Sequence, residues 1–289
     1  YNERMKYPKI DLKTIRLQAR QFQAENPRLF LVYLLPSMLV ILSGFLNPLE
    51  RINESILEQS FLSVFGHVFQ AYIFPLLVSF IGAILLTSSV YTTLKLIKNP
   101  DTELSVKNSL TLFNEEHFSQ TFLTLLLKRF YLFLWSIPSL LGIYFLFYSS
   151  FLAKKFVAIH PEFPNLDLTS VETERFLMTF GLYFLASILL MIVGNSLYIP
   201  QYYAYSQVEF LLCDTLDLGQ AKPGQILKTS RFLMKGYKFQ RFILDLQLLP
   251  WYFLNWITFG IASFSLLPYI QINKMIFYRA VLARKRRNR

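Results

Sequence analysis

Residues 176–208 run for 33 positions without one charged side chain. As a straight helix that run measures about 50 Å, more than the bilayer core of about 30 Å needs. Four further charge-free or nearly charge-free apolar runs occupy 29–46, 68–94, 130–153 and 246–273. A soluble chain of 289 residues could not hide this much apolar surface, since 54% of it is hydrophobic and only 16% charged. The mean hydropathy of +0.38 agrees. The expectation is an all-α fold: a polytopic transmembrane helical bundle with amphipathic cytoplasmic surface helices. The run at 176–208 reads as one long helix kinked at Pro200, with Tyr202, Tyr203, Tyr205 and Glu209 emerging beyond the core.

Charge sets the expected orientation. Lys and Arg number 7 in 1–28, 1 in 47–67, 5 in 95–129, 3 in 154–175, 6 in 214–245 and 7 in 274–289. Basic loops stay in the cytoplasm, so the alternation places the N-terminus there. The final 7 keeps the pattern only if 239–283 crosses twice, around a tight turn near Thr258-Phe259-Gly260. Six spans follow, in one integral membrane domain over 1–289. It comprises a cytoplasmic amphipathic segment at 1–28, the bundle at 29–283 and a polybasic cytoplasmic tail at 284–289. Pro36, Pro75, Pro138, Pro200, Pro250 and Pro268 put one helix-kinking residue in each span.

A repeat is also visible. Tyr72-Ile73-Phe74-Pro75, Lys107-Asn108-Ser109, Phe113, Phe118 and Trp135 are echoed about 120 residues later. The echo is Tyr198-Ile199-Pro200, Lys228-Thr229-Ser230, Met234, Phe239 and Trp256. Each unit reads as span, cytoplasmic surface helix, span, a parallel arrangement that some transporters use.

The surface helices are basic and amphipathic. After Pro223, which suits a helix start, Ile226, Leu227, Leu233, Met234 and Tyr237 share one face. Lys228, Arg231, Lys235 and Lys238 share another, as a helix lying among anionic headgroups would. Leu12, Ile15, Ala19 and Phe22 face away from Lys13, Arg16 and Arg20 in the same way. A weaker segment carries Val106, Leu110 and Phe113 beside Glu115-Glu116. The tail adds Arg284, Lys285, Arg286 and Arg287 to the headgroup-binding candidates. No aromatic or glycine-rich pattern favours nucleic acid, so the expected partners are anionic membrane lipids, with a protein partner or a second copy of the chain as further possibilities.

No catalytic constellation stands out. His67, His117 and His160 are isolated, without the paired spacing of a helical zinc site. Phosphate-binding glycine loops and a serine-hydrolase elbow are missing from the sequence. Cys213 is the one cysteine. The expectation is therefore no enzyme, no cofactor and no metal. The intramembrane polar candidates are Gln201, Glu209, Asp245, Asn255 and Gln271, because such groups are costly within spans. Asp245 stands four residues after Arg241, where a helical ion pair can form.

From 198 onward the chain resembles a known family. The carrying residues are Tyr205-Ser206, Asp214, Lys228-Thr229-Ser230-Arg231, Leu233-Met234-Lys235-Gly236, Phe242, Leu244-Asp245-Leu246, Trp251, Thr258-Phe259-Gly260-Ile261, Pro268-Tyr269 and Phe277-Tyr278. This pattern is similar to that of the domain-of-unknown-function 975 family of multi-spanning membrane proteins, found mostly in Gram-positive bacteria. The resemblance implies a six-span protein of the bacterial cytoplasmic membrane, with Trp251 and Pro268-Tyr269 on separate spans flanking Gly260. It departs from the family at Gln247-Leu248-Leu249-Pro250-Trp251 and in the loop 154–175, and it brings no established chemistry. The expected role is a non-enzymatic transport-type protein for a small solute or lipid, built on the two repeats. The alternative is a membrane organiser or partner-binding protein that sets its basic helices on anionic lipid.

Overall fold

The computed structural model describes residues 10–45, 74–160, 170–216, 219 and 222–287. Every regular element among them is helical. In chain order these are α1 (Leu12–Glu25), α2 (Leu29–Val32), α3 (Leu34–Phe45), α4 (Phe74–Lys98), a 3₁₀ segment (Val106–Phe113), α5 (Glu115–Ile159), α6 (Val171–Ala204), α7 (Val208–Leu216), α8 (Pro223–Met234), α9 (Lys238–Ile257) and α10 (Ser263–Arg287). They gather into two compact units, one from Tyr1–Leu127 with Ala204–Arg289, the other Lys128–Tyr203. The expected loop at 47–67, with His67, and the start of the first repeat at Tyr72-Ile73 lie outside the described residues.

The expectation of six spans is met in part. Among the described residues three helical stretches are long and apolar enough to cross a membrane: Phe74–Lys98, Glu115–Ile159 and Val171–Leu216. α3 is only 12 residues long. α9 carries Lys238, Arg241 and Asp245 in its first two turns, and α10 carries Gln271, Asn273, Lys274 and Arg279 along its middle. Those polar side chains dilute both helices below the hydropathy of a free-standing span.

The hairpin between α9 and α10 matches expectation. Phe259 (φ 50°) and Gly260 (φ 86°) make the turn in left-handed backbone, and the Gly260 N–H donates to the Asn255 carbonyl at 2.8 Å. A Cβ at Gly260 would also stand 3.1 Å from Ile41 Cγ1 on α3. The positive φ at Gly260 favours glycine, and a Cβ there would make Ile41 give by a few tenths of an ångström. Trp251 and Tyr269 meet edge-on across the hairpin, their ring centroids 5.8 Å apart.

The helix expected at 176–208 is interrupted beyond Pro200. α6 runs through Pro200 to Ala204, breaks over residues 205–207 and resumes as α7. Ser230, fully buried on α8, fills the break: its hydroxyl donates to the Ala204 carbonyl at 2.8 Å, and the Gln207 N–H donates to it at 3.3 Å. Ser109 acts similarly at the gap between α2 and α3, donating to the Val32 carbonyl that also receives Ser89 Oγ. Pro36 sits in the first turn of α3, where the missing N–H costs little.

The first unit packs around α4, whose buried face is rich in hydroxyls: Thr87, Ser88, Ser89, Thr92 and Thr93. Thr87, Ser89, Thr92 and Thr93 return their protons to carbonyls four residues back, satisfying themselves without water. Tyr33, Leu112, Leu212, Met234, Leu244, Leu248, Ile272 and Phe277 complete the core. Within the 3₁₀ segment, Ser109 and Leu112 are buried while Leu110 and Phe113 are exposed. Three residues per turn put i and i+3 on one face, which replaces the face expected from α-helical spacing.

The second unit is a pair of long helices zipped by aromatic rings and small residues. Phe156 stacks on Phe176 at 3.9 Å, and Tyr148 meets Tyr183 edge-on at 4.8 Å. A Cβ on Gly194 would lie 2.5 Å from the Ser139 backbone nitrogen, so the helices touch main chain to main chain there, as small residues allow in membrane bundles. The outer surface stays apolar: Phe147 is 71% and Leu182 68% exposed. Contiguous apolar surface of this extent belongs in lipid.

Candidate functional site

The basic helix expected at 223–241 is α8 plus the first turn of α9. Pro223 occupies its first turn, and Ile226, Leu227, Leu233 and Met234 form its buried face. That face packs into the first unit, so the apolar side of the helix is covered by protein. α1 behaves alike: Ile15 and Ala19 are buried and the helix packs on α10. Amphipathic periodicity located both faces correctly, but the expectation that lipid covers them gives way to this packing.

What α8 leaves outward is cationic and aromatic together. Lys228, Arg231 and Lys235 are exposed, Phe232 between them is 49% exposed, and Phe239 on the next helix is 72% exposed. Gly236 (φ 91°) turns the chain between the helices. The C-terminal end of α10 comes to the same place, with Lys285 Nζ 5.1 Å above the Phe232 ring and 5.8 Å from that of Tyr237. Arg231 lies 6.0 Å from the Tyr205 ring. Two cation groups far apart in sequence thus form one face. Lys285 is pushed below the ordinary lysine pKa by partial burial and then by Lys235, and Lys238 by partial burial and then by Arg231. Like charges crowd here, and an anion settling on the face relieves the crowding. Arg284 lies half-buried and Arg286 and Arg287 exposed on the same final turns.

The five intramembrane candidates are spread over four helices: Gln201 on α6, Glu209 on α7, Asp245 and Asn255 on α9, and Gln271 on α10. Gln201 Oε1 on α6 and Asn255 Oδ1 on α9 are buried without a hydrogen-bond partner among the described residues. Glu209 is half-buried at the start of α7, and Gln271 is buried on α10. Asp245 does meet Arg241, at 3.3 Å. Arg241 is 3% exposed, lies 5.8 Å from the Phe277 ring and so serves the core. A buried pair of this kind mainly avoids leaving either charge alone.

Two cavities lie in the first unit. One, of about 540 Å³, is bounded by Lys98, Asp214, Tyr278, Arg279, Ala283 and Arg286 with apolar neighbours. The other, of about 400 Å³, is an apolar groove between Phe22, Ile97, Ile272, Ile276, Arg279 and Ala280. None of the five intramembrane candidates lines either one. Asp214 is engaged on both oxygens, by Lys98 Nζ at 3.2 Å and by the Tyr278 hydroxyl, which donates at 2.7 Å. Sequence reasoning missed this cluster because its members come from α4, α7 and α10. Its one local signal was the spacing of Arg279 and Arg286, two helical turns apart.

Among the described residues no group of three or more His, Cys, Asp or Glu could hold a metal ion. Cys213 is buried, its thiol 3.6 Å from the Thr87 carbonyl, and His117 rests against the Tyr91 ring at 6.2 Å.

A family model described as protein of unknown function (DUF975) matches residues 5–285, nearly the whole chain, and the chain belongs to that family. Neither the curated proteins nor the solved structures compared with it yield a match.

Proposed function

We propose that this member of the family is a non-enzymatic organiser of anionic lipid at the cytoplasmic face of the bacterial membrane. The observation that carries the reading is the convergence of exposed Arg231, Phe232 and Lys235 with half-buried Lys238 and Lys285 on one face. Cations beside outward-facing phenylalanines match a headgroup layer, with charge at the phosphates and rings at the acyl boundary. Each Lys or Arg near an anionic surface contributes about 1 kcal/mol, or roughly fivefold in affinity. In this reading both termini are cytoplasmic and the chain crosses six times. The apolar end of the α9–α10 hairpin, where Trp256 and Phe259 are 75% and 78% exposed, is immersed, and the polar side chains of both helices face the first unit.

Truncation of Arg284–Arg289 tests it. The shortened chain, reconstituted with mixed phosphatidylglycerol and phosphatidylcholine, should keep its fold and hold less phosphatidylglycerol. Equal retention by both chains would count against the reading.

Transport of a small solute or lipid is the second reading. It is favoured by the partnerless Gln201 and Asn255 oxygens, which a polar substrate would satisfy. Flux through proteoliposomes that falls with Gln201→Leu or Asn255→Leu would support it, and absence of any flux would end it.

A further inference from the structure

The cavity between α4, α7 and α10 has a charge pattern that the broad basic face does not explain. Three cations, Lys98, Arg279 and Arg286, line it against one carboxylate, Asp214. Asp214 already takes Lys98 and the Tyr278 hydroxyl, which leaves the two guanidinium groups as the excess. Neither Arg279 nor Arg286 makes an ion pair among the described residues, and both are exposed. They stand seven residues apart on one face of α10, about 10 Å along its axis. Between them on that face lies Ala283, whose small side chain leaves the space open.

The second cavity begins where the first ends. Ile97 and Arg279 line both, and beyond them the walls are Gln18, Phe22, Ile272, Ile276 and Ala280. A cationic chamber of about 540 Å³ therefore adjoins an apolar groove of about 400 Å³, each within the range of roughly 300–1,000 Å³ usual for small-ligand sites. A water-soluble anion would use only the first, and a neutral apolar molecule only the second. The juxtaposition matches an amphiphile with an anionic head.

We propose that the paired cavities form a discrete site for one lipid carrying a phosphomonoester, its phosphate held by Arg279 and Arg286 and its chain laid along Phe22, Ile272 and Ile276. Two guanidiniums suit this headgroup because a phosphomonoester carries about −1.5 to −2 charge near neutral pH and accepts bidentate donation. Asp214 lines the same chamber with its two oxygens taken by Lys98 and the Tyr278 hydroxyl. The inference deepens the anionic-lipid reading and rests on it for the side of the membrane, but it concerns one saturable site.

The test is calorimetric titration of the purified full chain, in phosphatidylcholine nanodiscs, with dioctanoyl phosphatidic acid. One equivalent should bind. Arg279→Gln and Arg286→Gln should each weaken it at least tenfold, and Ala283→Phe should do so without altering charge. Because Ala283 is exposed, the phenylalanine fills the chamber without disturbing the core, and an unchanged unfolding temperature verifies that. Inorganic phosphate should bind at least tenfold more weakly than the lipid; equal binding would overturn the lipid half and leave a site for free phosphate. Non-saturating uptake, or one-to-one binding indifferent to all three substitutions, would overturn the site itself. Enrichment of bulk phosphatidylglycerol around the chain, with no saturable site, would sink this inference alone. A saturable site without bulk enrichment would sink the broader reading alone.

Discussion

The Ser230 hydroxyl donates to the Ala204 carbonyl at 2.8 Å and accepts the Gln207 N–H at 3.3 Å, so one side chain from α8 closes the break between α6 and α7. Ser230→Ala leaves a buried carbonyl and a buried N–H unpaired, each worth about 1–3 kcal/mol. The variant should unfold several degrees below wild type in thermal scans. Thr229→Ala, at the exposed neighbouring position, should leave the midpoint unchanged.

That contact also explains why the break eluded sequence reading. Pro200 is the obvious helix disruptor in the run, yet losing one hydrogen bond does not stop a helix whose neighbours support it. The stop is set by a serine 26 residues further on than Ala204, and nothing local announces it. The long apolar runs and the Gly260 turn were legible because each is a local property: uninterrupted hydropathy in one case, backbone sign in the other. The span count is legible only in part, since Arg241 and Asp245 lower the hydropathy of α9 although Arg241 lies inside the core. For α1 and α8, periodicity identified the apolar faces but could not say whether lipid or protein covers them. The meeting of Lys285 with Phe232 was likewise invisible, though the two basic clusters it joins were both found.

In the second unit the close approach at Gly194 should be intolerant of any larger residue. A Cβ there would lie 2.5 Å from the Ser139 backbone nitrogen. Gly194→Leu should force α5 and α6 apart and separate the stacked Phe156 and Phe176 rings. Cysteine pairs placed across the two helices would read this as lost crosslinking, whereas Gly181→Leu, where a Cβ meets nothing within 4 Å, should crosslink as wild type does.

At the start of α1, Asp11 accepts from the Lys13 N–H and from the Thr14 hydroxyl. The Thr14 donation, then that of Lys13, holds its carboxyl below the ordinary value of 3.8. A depressed acid stabilises the folded helix end above its unfolded pKa, and this contribution is lost as pH falls through the lower folded value. Protection of the first-turn amides, corrected for intrinsic exchange, should therefore begin to fall as pH drops below the ordinary 3.8 and go on falling through the lower folded value. Asp11→Asn should keep the cap, because an amide oxygen also accepts, and should lose the pH dependence. Acid-independent exchange in the wild-type chain would contradict this.

The central claim is that the face formed by α8, the start of α9 and the end of α10 gathers anionic lipid. It is tested most directly by purifying the chain from a membrane of known composition and weighing the lipid that stays bound. The wild-type chain should carry phosphatidylglycerol well above its share of that membrane, and the combined Lys228→Gln, Arg231→Gln, Lys235→Gln and Lys238→Gln variant should carry it at the bulk share. A wild-type chain whose bound lipid merely mirrors the membrane would contradict the claim.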